Sequence, residues 1–169
     1  PWQTTMVARH EDRPKSKFFI DNLFDDFISL SGDRFYGEDK SVLTGFAKFN
    51  GTSVLVIGQE KGENLESRIE RNFGMMRPEG YRKTIRLMNL ANKFNIPIIS
   101  FIDTPGAYPG VGAEERGQAE AIAKSIECCM ELSVPTLAII IGEGGSGGAI
   151  ALASSNKVIM LENAIYSVI

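Results

Sequence analysis

Short apolar runs alternate with amphipathic segments along the second half of the chain. Three buried strands are predicted from the runs "IPIISFID", "VPTLAIII" and "KVIMLEN". A helix of about five turns is predicted between the first two, from "AEERGQAEAIAKSIECCMEL", and a short one between the last two, from "GGAIALASS". Strand–helix–strand–helix–strand order with apolar strands predicts βαβ units on a mainly parallel sheet.

The first half of the chain predicts a hairpin and three helices. Asn50-Gly51 separates "SVLTGFAKF" from "TSVLVIG", which is typical of a β-hairpin with a two-residue turn. One helix is predicted over "SKFFIDNLFDDFISLSGD", with Gly32 suited to its end. Two more are predicted, a short charged one over "NLESRIERNFG" and a longer one over "RPEGYRKTIRLMNLANKF". The apolar face of the first helix comprises Phe18, Phe19, Leu23, Phe24, Phe27 and Ile28.

Composition narrows the class of protein without identifying a function. The 169 residues, 43% of them apolar and 23% charged, fit one globular domain. A net charge of -3 gives no reason to expect nucleic acid or an anionic membrane as a partner. The apolar runs are too short to span a bilayer, and no secretory signal is visible. The adjacent Cys128 and Cys129 are interpreted as packing residues in a reducing, cytoplasmic setting, and no metal site is predicted in this chain.

Two glycine-rich segments follow the first two predicted strands, "DTPGAYPGVG" and "GEGGSGG". Ligands of open α/β sheets bind beyond the C-terminal ends of the strands, so both segments are candidates for a site. Residues 142–148 include five glycines. Without side chains, the backbone N–H groups at the end of a strand and the start of a helix are left uncovered. This pattern predicts binding of an anion or a developing oxyanion. No general-base arrangement is recognised among the nearby titratable residues, which are Asp103, Glu114, Glu115, Arg116 and Glu143.

The second glycine segment also fits a dinucleotide-binding module. Gly142-x-Gly144-x-x-Gly147 has the spacing of the dinucleotide fingerprint, and Glu162 lies where a ribose-binding acid would follow. This hypothesis remains an alternative, although the fingerprint normally opens the first βα unit of its domain.

A serine hydrolase is a third hypothesis. Gly144-x-Ser146-x-Gly148 has the spacing of a nucleophile elbow. The only histidine of the sequence, His10, lies in a polar stretch near the start, so the chain offers no evident base for Ser146.

The chain resembles the carboxyltransferase alpha subunit of bacterial acetyl-CoA carboxylase. The segments that carry the resemblance are "RNFGMMRPEGYRKTIRLMNLANKF", "FIDTPGAYPGVGAEERGQAEAIA" and "IGEGGSGGAIA", and it extends through "ARHEDRP", "SGDRFYGEDK" and "YSVI". It implies that residues 1–169 form a single CoA-carboxyltransferase (C-terminal type) domain with the α/β crotonase-like (ClpP/crotonase) ββα-superhelix fold, partly truncated. The family chain continues past "YSVI" and has an additional helical N-terminus, so a fragment of a longer chain is expected.

The resemblance implies a transferase of fatty acid biosynthesis. Its reaction moves a carboxyl group from carboxybiotin, carried on a separate biotin carboxyl carrier protein, to acetyl-CoA and gives malonyl-CoA. The ureido nitrogen of biotin takes the proton from the acetyl methyl group, so no side-chain base is required. The implied partner is a zinc-ribbon beta subunit, with zinc only in that subunit, in an alpha2beta2 heterotetramer of the cytoplasm.

Carried onto this sequence, the family pattern makes Gly147 and Gly148 the catalytic oxyanion donors that face the biotin ureido carbonyl. The partner subunit mainly handles the CoA thioester. Gly145 and Ser146 then belong to the substrate-binding turn, with Ser146 as a small residue and not a nucleophile. The substrate-binding wall of the first segment comprises Gly106, Ala107 and Tyr108.

A basic stretch lies between residues 61 and 93, interleaved with glutamates. It is interpreted as solvated helix faces with i,i+4 ion pairs, in preference to a surface for CoA phosphates or an acidic carrier protein. Its members are Lys61, Arg68, Arg71, Arg77, Arg82, Lys83, Arg86 and Lys93.

Overall fold

A computed structural model describes residues 1–168, which form a mixed seven-stranded sheet with helices on both faces. The strands are β1 (Asp25–Ser29), β2 (Val42–Phe49), β3 (Thr52–Gln59), β4 (Ile98–Thr104), β5 (Thr136–Gly145), β6 (Lys157–Met160) and β7 (Ile165–Ser167). The helices are α1 (Trp2–Ala8), α2 (Ser16–Leu23), α3 (Leu65–Glu70), α4 (Pro78–Lys93), α5 (Val111–Glu115), α6 (Gln118–Glu131) and α7 (Ser146–Ala153). No helix in this range is both long and apolar enough to cross a bilayer.

The strand order is β1-β2-β3-β4-β5-β6, and β7 pairs with β5. Strands β3 to β6 run parallel, which confirms the predicted βαβ units. Strands β2 and β3 form the predicted antiparallel hairpin, and Asn50 and Gly51 take the positive φ values of +47° and +79° that its two-residue turn requires. The carboxyl ends of β4 and β5 therefore meet at one edge of the sheet.

Alternation along β3 divides the core between the two faces of the sheet. Leu55 and Ile57 pack into the larger cluster with side chains of α4, α6 and α7, whereas Val54 and Val56 pack with α2. Successive side chains of a strand point to opposite faces, so one buried strand serves both clusters. Each such side chain, when fully buried, contributes about 1.5–3 kcal/mol to folding.

The predicted helix over residues 16–33 is wrong in its second half. Helix α2 ends at Leu23, and β1 then pairs antiparallel with β2. The Phe27 ring lies where Gly45 of β2 has no side chain, since a Cβ there would be 2.7 Å from the ring. Apolar pairs at this spacing suit a helix or a strand, and the open edge of β2 decides for the strand because it supplies backbone partners. Gly32 lies in the loop that follows β1, with a φ of +77°, and ends no helix.

Two further predictions needed correction. The predicted five-turn helix is two helices, α5 and α6, because Gly117 between them has a φ of +79°, which an α-helix cannot include. Strand β5 runs on to Gly145, so most of the predicted glycine loop is strand and the turn is tight. Strand β7 was not predicted.

Candidate functional site

The turns that follow β4 and β5 touch each other. The first glycine turn is defined here as residues 105–110, and the second glycine turn as residues 145–148. A Cβ on Gly145 would lie 2.1 Å from the Pro105 carbonyl oxygen, and one on Gly148 would lie 2.6 Å from the Gly106 carbonyl carbon. Real Cβ atoms do not approach backbone so closely, so these two glycines let the turns pack together. The contact places the two segments side by side, and their contribution to one site stays a prediction.

Two of the four N–H groups of the first glycine turn already have acceptors, since Pro105 and Pro109 carry no N–H. Gly106 N–H donates to Thr104 Oγ1 at 3.2 Å, and Tyr108 N–H donates to Met76 O at 3.0 Å. The turn is held further by Gln118, whose Nε2 donates to Tyr108 O at 2.9 Å. Ala107 N–H has no acceptor among residues 1–168. The first glycine turn therefore offers two free donors, at Ala107 and Gly110, of which Ala107 lies beside the second glycine turn.

The second glycine turn opens α7, whose first N–H groups have no intrahelical acceptor. Gly147 is partly exposed, and a Cβ there would make only an ordinary 3.7 Å contact with Ile122. Gly148 is buried, and its carbonyl oxygen accepts from Gln59 Nε2 at 2.8 Å. Of the two predicted donors, Gly147 is thus the more accessible one. Ala107 N lies beside Gly148, 2.8 Å from where its Cβ would be.

Tyr108 is partly buried in the first glycine turn. The Arg77 guanidinium lies over its ring, with Cζ 4.7 Å from the centroid. Gly110 packs against the ring edge, where a Cβ would be 2.2 Å away. The Tyr108 ring is therefore held in place by neighbours within the chain, and its role as a wall of the site stays a prediction.

Asp103 joins β4 to β5 directly beneath the second glycine turn. The register of these strands shifts between Ile102 and Thr104, and Asp103 Oδ1 accepts the N–H of Glu143 at 2.9 Å. The carboxylate fits because Gly142 has no side chain: a Cβ there would be 2.5 Å from Asp103 Oδ1. Gln59 Oε1 accepts the Asp103 N–H at 3.2 Å. Such irregularities are frequent beside functional sites, where they redirect the chain.

Asp103 belongs to a network of ion pairs that runs through Lys61 and Glu143 to the exposed Arg9. Lys61 Nζ lies 2.8 Å from Asp103 Oδ1 and 2.6 Å from Glu143 Oε2, and Arg9 Nε donates to Glu143 Oε1 at 2.6 Å. Burial alone would raise the pKa of Glu143, but Lys61 and then Arg9 stabilise the carboxylate and hold its pKa below the usual 4.5. The roles of Gln59, Lys61 and Arg9 were not predicted, because their partners lie on strands distant in sequence. The only signal for Arg9 was its place in "ARHEDRP".

The geometry does not support the dinucleotide hypothesis. Gly142 and Gly144 lie within β5, where they accommodate Asp103 and the Tyr166 ring respectively. They are therefore strand residues under steric constraint and do not form a turn around a pyrophosphate. Glu162 is exposed, and its carbonyl oxygen accepts from Arg13 Nη2.

Ser146 also lacks the partners of a nucleophile. Its φ of +46° is unusual for a residue with a side chain, but no side chain within residues 1–168 hydrogen-bonds to its hydroxyl. His10 is exposed, and its Nδ1 accepts the Asp12 N–H. No group of three or more His, Cys, Asp or Glu side chains within the described part of the chain is arranged to hold a metal ion.

The basic stretch contacts the rest of the fold, and does so through partners distant in sequence. Arg82 Nε lies 3.0 Å from Asp33 Oδ2, the buried Lys83 pairs with Glu38, and Arg86 donates to the carbonyl oxygen of Gly32. The prediction of i,i+4 ion pairs was therefore wrong for these three residues. They connect α4 to the loop between β1 and β2. This use leaves little of their charge for a ligand.

A cavity of about 530 Å³ lies at the opposite end of the sheet from the glycine turns. It is lined mainly by apolar residues of β1 and β2, together with Ile96 before β4. The carboxyl ends of parallel strands, where ligands bind, are elsewhere. A smaller cleft of about 190 Å³ borders the second glycine turn.

Comparisons with protein families and with individual proteins agree on one family. A family described as acetyl co-enzyme A carboxylase carboxyltransferase-like matches residues 1–169. The chain is 91% identical over 169 residues to the acetyl-coenzyme A carboxylase carboxyl transferase subunit alpha of Pelagibacter ubique (strain HTCC1062), and covers 46% of that protein. It is 60% identical to the same subunit of Rhodopseudomonas palustris (strain HaA2), of which it covers 53%. The chain therefore spans about half the length of these relatives.

Solved structures confirm the fold. The transcarboxylase 12S crystal structure with hydrolysed methylmalonyl-coenzyme A superimposes with a TM-score of 0.80 at 21% identity, over 99% of this chain and 31% of that one. The beta subunit of P. aeruginosa geranyl-CoA carboxylase gives 0.78 at 19% identity, over 97% and 30%. The α/β fold is crotonase-like, as the resemblance implied.

Proposed function

Because the chain belongs to the acetyl co-enzyme A carboxylase carboxyltransferase-like family, we propose that it is part of a subunit that transfers a carboxyl group from carboxybiotin to acetyl-CoA. The product is malonyl-CoA, a precursor for fatty acid synthesis. The relatives at 91% and 60% identity carry the name of this activity's alpha subunit. Since the chain covers about half of each, the activity of the whole protein is inferred for it.

The contact between the two glycine turns is the observation that carries the proposal. It brings the free N–H of Ala107 beside Gly148, one residue from the accessible Gly147. Preorganised backbone donors of this kind stabilise negative charge as it develops, and each contributes about 10²–10³ in rate. The neighbouring carboxylates, Asp103 and Glu143, are engaged by Lys61 and are not positioned as bases.

Bound carboxybiotin supplies the carboxyl group and, through its ureido nitrogen, the base that this chain lacks. The residues of the chain fit that ligand in two respects. Gly147 and Ala107 donate their N–H groups to the ureido oxygen, and Gly148, as a second but deeper donor, keeps the turns in contact. Tyr108 forms a wall beside the ring system and Gly106 leaves open space next to it, while Gly145 and Ser146 border the ligand in the second glycine turn.

The remaining components follow from the family. The proposed partners are a zinc-ribbon beta subunit that completes the active site and binds the CoA thioester, and a biotin carboxyl carrier protein. The zinc belongs to the beta subunit, the assembly is alpha2beta2, and the location is the cytoplasm. Residues 1–169 act within it as one carboxyltransferase domain of a longer chain.

Reverse transfer tests the proposal: malonyl-CoA and biotin methyl ester are incubated with the full-length chain and its beta subunit, and acetyl-CoA is measured. Gly147→Pro removes one N–H, and Gly147→Ala adds the same Cβ but retains that N–H. The ratio of the two rates therefore isolates the donor. Proline fits the first turn of a helix but also restricts the residue before it, so unfolding and assembly are measured for both variants.

The expected result is turnover that requires both subunits and a Gly147→Ala rate about 10²–10³ times that of Gly147→Pro, with both variants assembled. Equal rates for the two variants would show that the Gly147 N–H is not an oxyanion donor. An absence of transfer by the assembled wild type would refute the function. Gly148 is unsuitable for this test because any side chain there collides with the first glycine turn.

A further inference from the structure

The cleft of about 190 Å³ beside the second glycine turn contains polar groups that the proposed function has not used. It lies between α1, the carboxyl end of β5, and β7. The residues that line it are Arg9, Pro105, Glu143, Gly144, Gly145, Ser146, Ile165 and Ser167. Ser146 and Ser167 both line it, and neither hydroxyl has a hydrogen-bond partner within residues 1–168. Convergent polar groups in a concave site are typical of a binding subsite.

Arg9 supplies the cation at the mouth of this cleft. Its Nε donates to Glu143 Oε1 at 2.6 Å, and no other donor of its guanidinium has an acceptor within the described part of the chain. Its side chain is 58% exposed. The charge of Glu143 is already met on its other oxygen by Lys61. A guanidinium has five N–H donors, so most of those of Arg9 remain available to a ligand.

If Arg9 had a purely structural role, it would anchor the N-terminal segment to the sheet. Arg13 already anchors that segment, just after α1. Arg13 Nε donates to Ile141 O at 2.6 Å and Arg13 Nη2 to Glu162 O at 2.9 Å, which fixes the segment after α1 to the sheet. Helix α1 itself is lightly packed, with Ala8 its one buried residue. The two arginines thus differ: Arg13 is occupied by backbone carbonyls, whereas Arg9 presents open donors to the cleft.

We propose that Arg9, assisted by the hydroxyl of Ser146, binds the carboxylate of a substrate in this cleft. The inference rests on the proposed function, in which both reactants that carry the transferable group are carboxylates: the carboxylated ureido ring and the malonyl thioester. A planar guanidinium matches a carboxylate in paired, charge-assisted hydrogen bonds. Arg9 is therefore a substrate-binding residue, adjacent to the oxyanion donors and separate from them.

Equilibrium binding of malonyl-CoA and acetyl-CoA to the assembled full-length complex tests this assignment, because the two ligands differ by one carboxylate. In Arg9→Gln, the Kd for malonyl-CoA is expected to rise at least tenfold while that for acetyl-CoA stays unchanged. Arg9→Lys keeps the charge and should recover part of the loss. Arg13→Gln is the matched control: it loosens the same segment and lowers the unfolding temperature, but it should leave the malonyl-to-acetyl ratio intact.

Forward transfer from N-carboxylated biotin methyl ester distinguishes the second source of the carboxylate. A rise of at least tenfold in its KM in Arg9→Gln, with malonyl-CoA binding unchanged, would support the site and assign it to the biotin side. If the wild type transfers and neither quantity changes in Arg9→Gln, the assignment of Arg9 is overturned and the proposed function stands. Equal changes in Arg13→Gln would also overturn it, and a wild type without transfer would overturn both proposals.

Discussion

The two glycine turns look equivalent in sequence and serve different purposes in the fold. In the first glycine turn, Thr104, Met76 and Gln118 engage the backbone groups of Gly106 and Tyr108, which leaves the N–H groups of Ala107 and Gly110 free. In the second, backbone donors at the start of α7 are left open, and the chain beneath them is fixed by buried ion pairs. A count of glycines therefore does not measure the capacity of a turn to bind an anion.

The glycines of residues 142–148 also divide by physical cause. At Gly142, Gly144, Gly145 and Gly148 a Cβ would lie 2.7 Å or less from a neighbouring atom, so these residues are glycine for packing. Gly147 alone in this range has ordinary space around it. Steric need thus explains four of the glycines and leaves Gly147 as the position where packing does not require one.

The largest expected effect concerns the ion pairs beneath the second glycine turn. Lys61→Met should lower the free energy of unfolding by about 3–5 kcal/mol, because Asp103 and Glu143 would remain buried without Lys61. Lys17→Met is the matched control, since Lys17 pairs with Asp21 at the surface and about 0–1 kcal/mol is expected there. Urea unfolding of both variants measures the difference, and similar losses would contradict the structural role of Lys61.

Substituting two adjacent glycines separates packing from donor function. Gly148→Ala should lower the free energy of unfolding by about 1–3 kcal/mol, because its methyl group would meet the backbone of Gly106. The same change at Gly147 should be neutral or stabilise by up to about 1 kcal/mol, since alanine favours helices. Thermal unfolding distinguishes the two, and equal destabilisation would refute the division between these glycines.

The hydrogen bonds that hold the first glycine turn should contribute less stability than the ion pairs of Lys61 beside the second. Thr104→Val removes the hydroxyl that donates to Gly106 O at 2.7 Å and accepts the Gly106 N–H. About 1–2 kcal/mol of stability should be lost, with less than a tenfold change in carboxyl transfer, because Met76 and Gln118 still hold the turn. A larger loss of activity than of stability would show that the first turn contributes more to catalysis than its free donors indicate.

The smallest effect is expected from pH between 5 and 8. The pKa of Glu143 lies below its usual 4.5, so its ion pairs stabilise the fold above that value and weaken as pH falls through the lowered one. The Glu143 contribution should therefore be constant from pH 5 to 8 and decline only in stronger acid. Glu143→Gln checks the assignment. Its unfolding free energy should fall less in strong acid than that of the wild type, because the contribution of Glu143 is absent.

Local pattern was sufficient for much of the fold. The apolar runs predicted β4, β5 and β6, Asn50-Gly51 predicted the hairpin, and the segment "RPEGYRKTIRLMNLANKF" predicted α4. It failed at residues 24–29, where the apolar spacing suits two structures and pairing with β2 selects the strand. It also failed at Gly117, where the tertiary path of the chain breaks a helix that the sequence favours.

By itself, the sequence determined the parallel part of the sheet, the two glycine-rich turns at its carboxyl edge, and the family to which the chain belongs. Periodicity and backbone preference act over a few residues, so they can be read from neighbours in the chain. The tertiary structure decided which glycine is free of steric need, which N–H groups remain open, and how Lys61, Asp103, Glu143 and Arg9 meet. Those outcomes depend on distances between atoms of separate strands, and local sequence does not contain them.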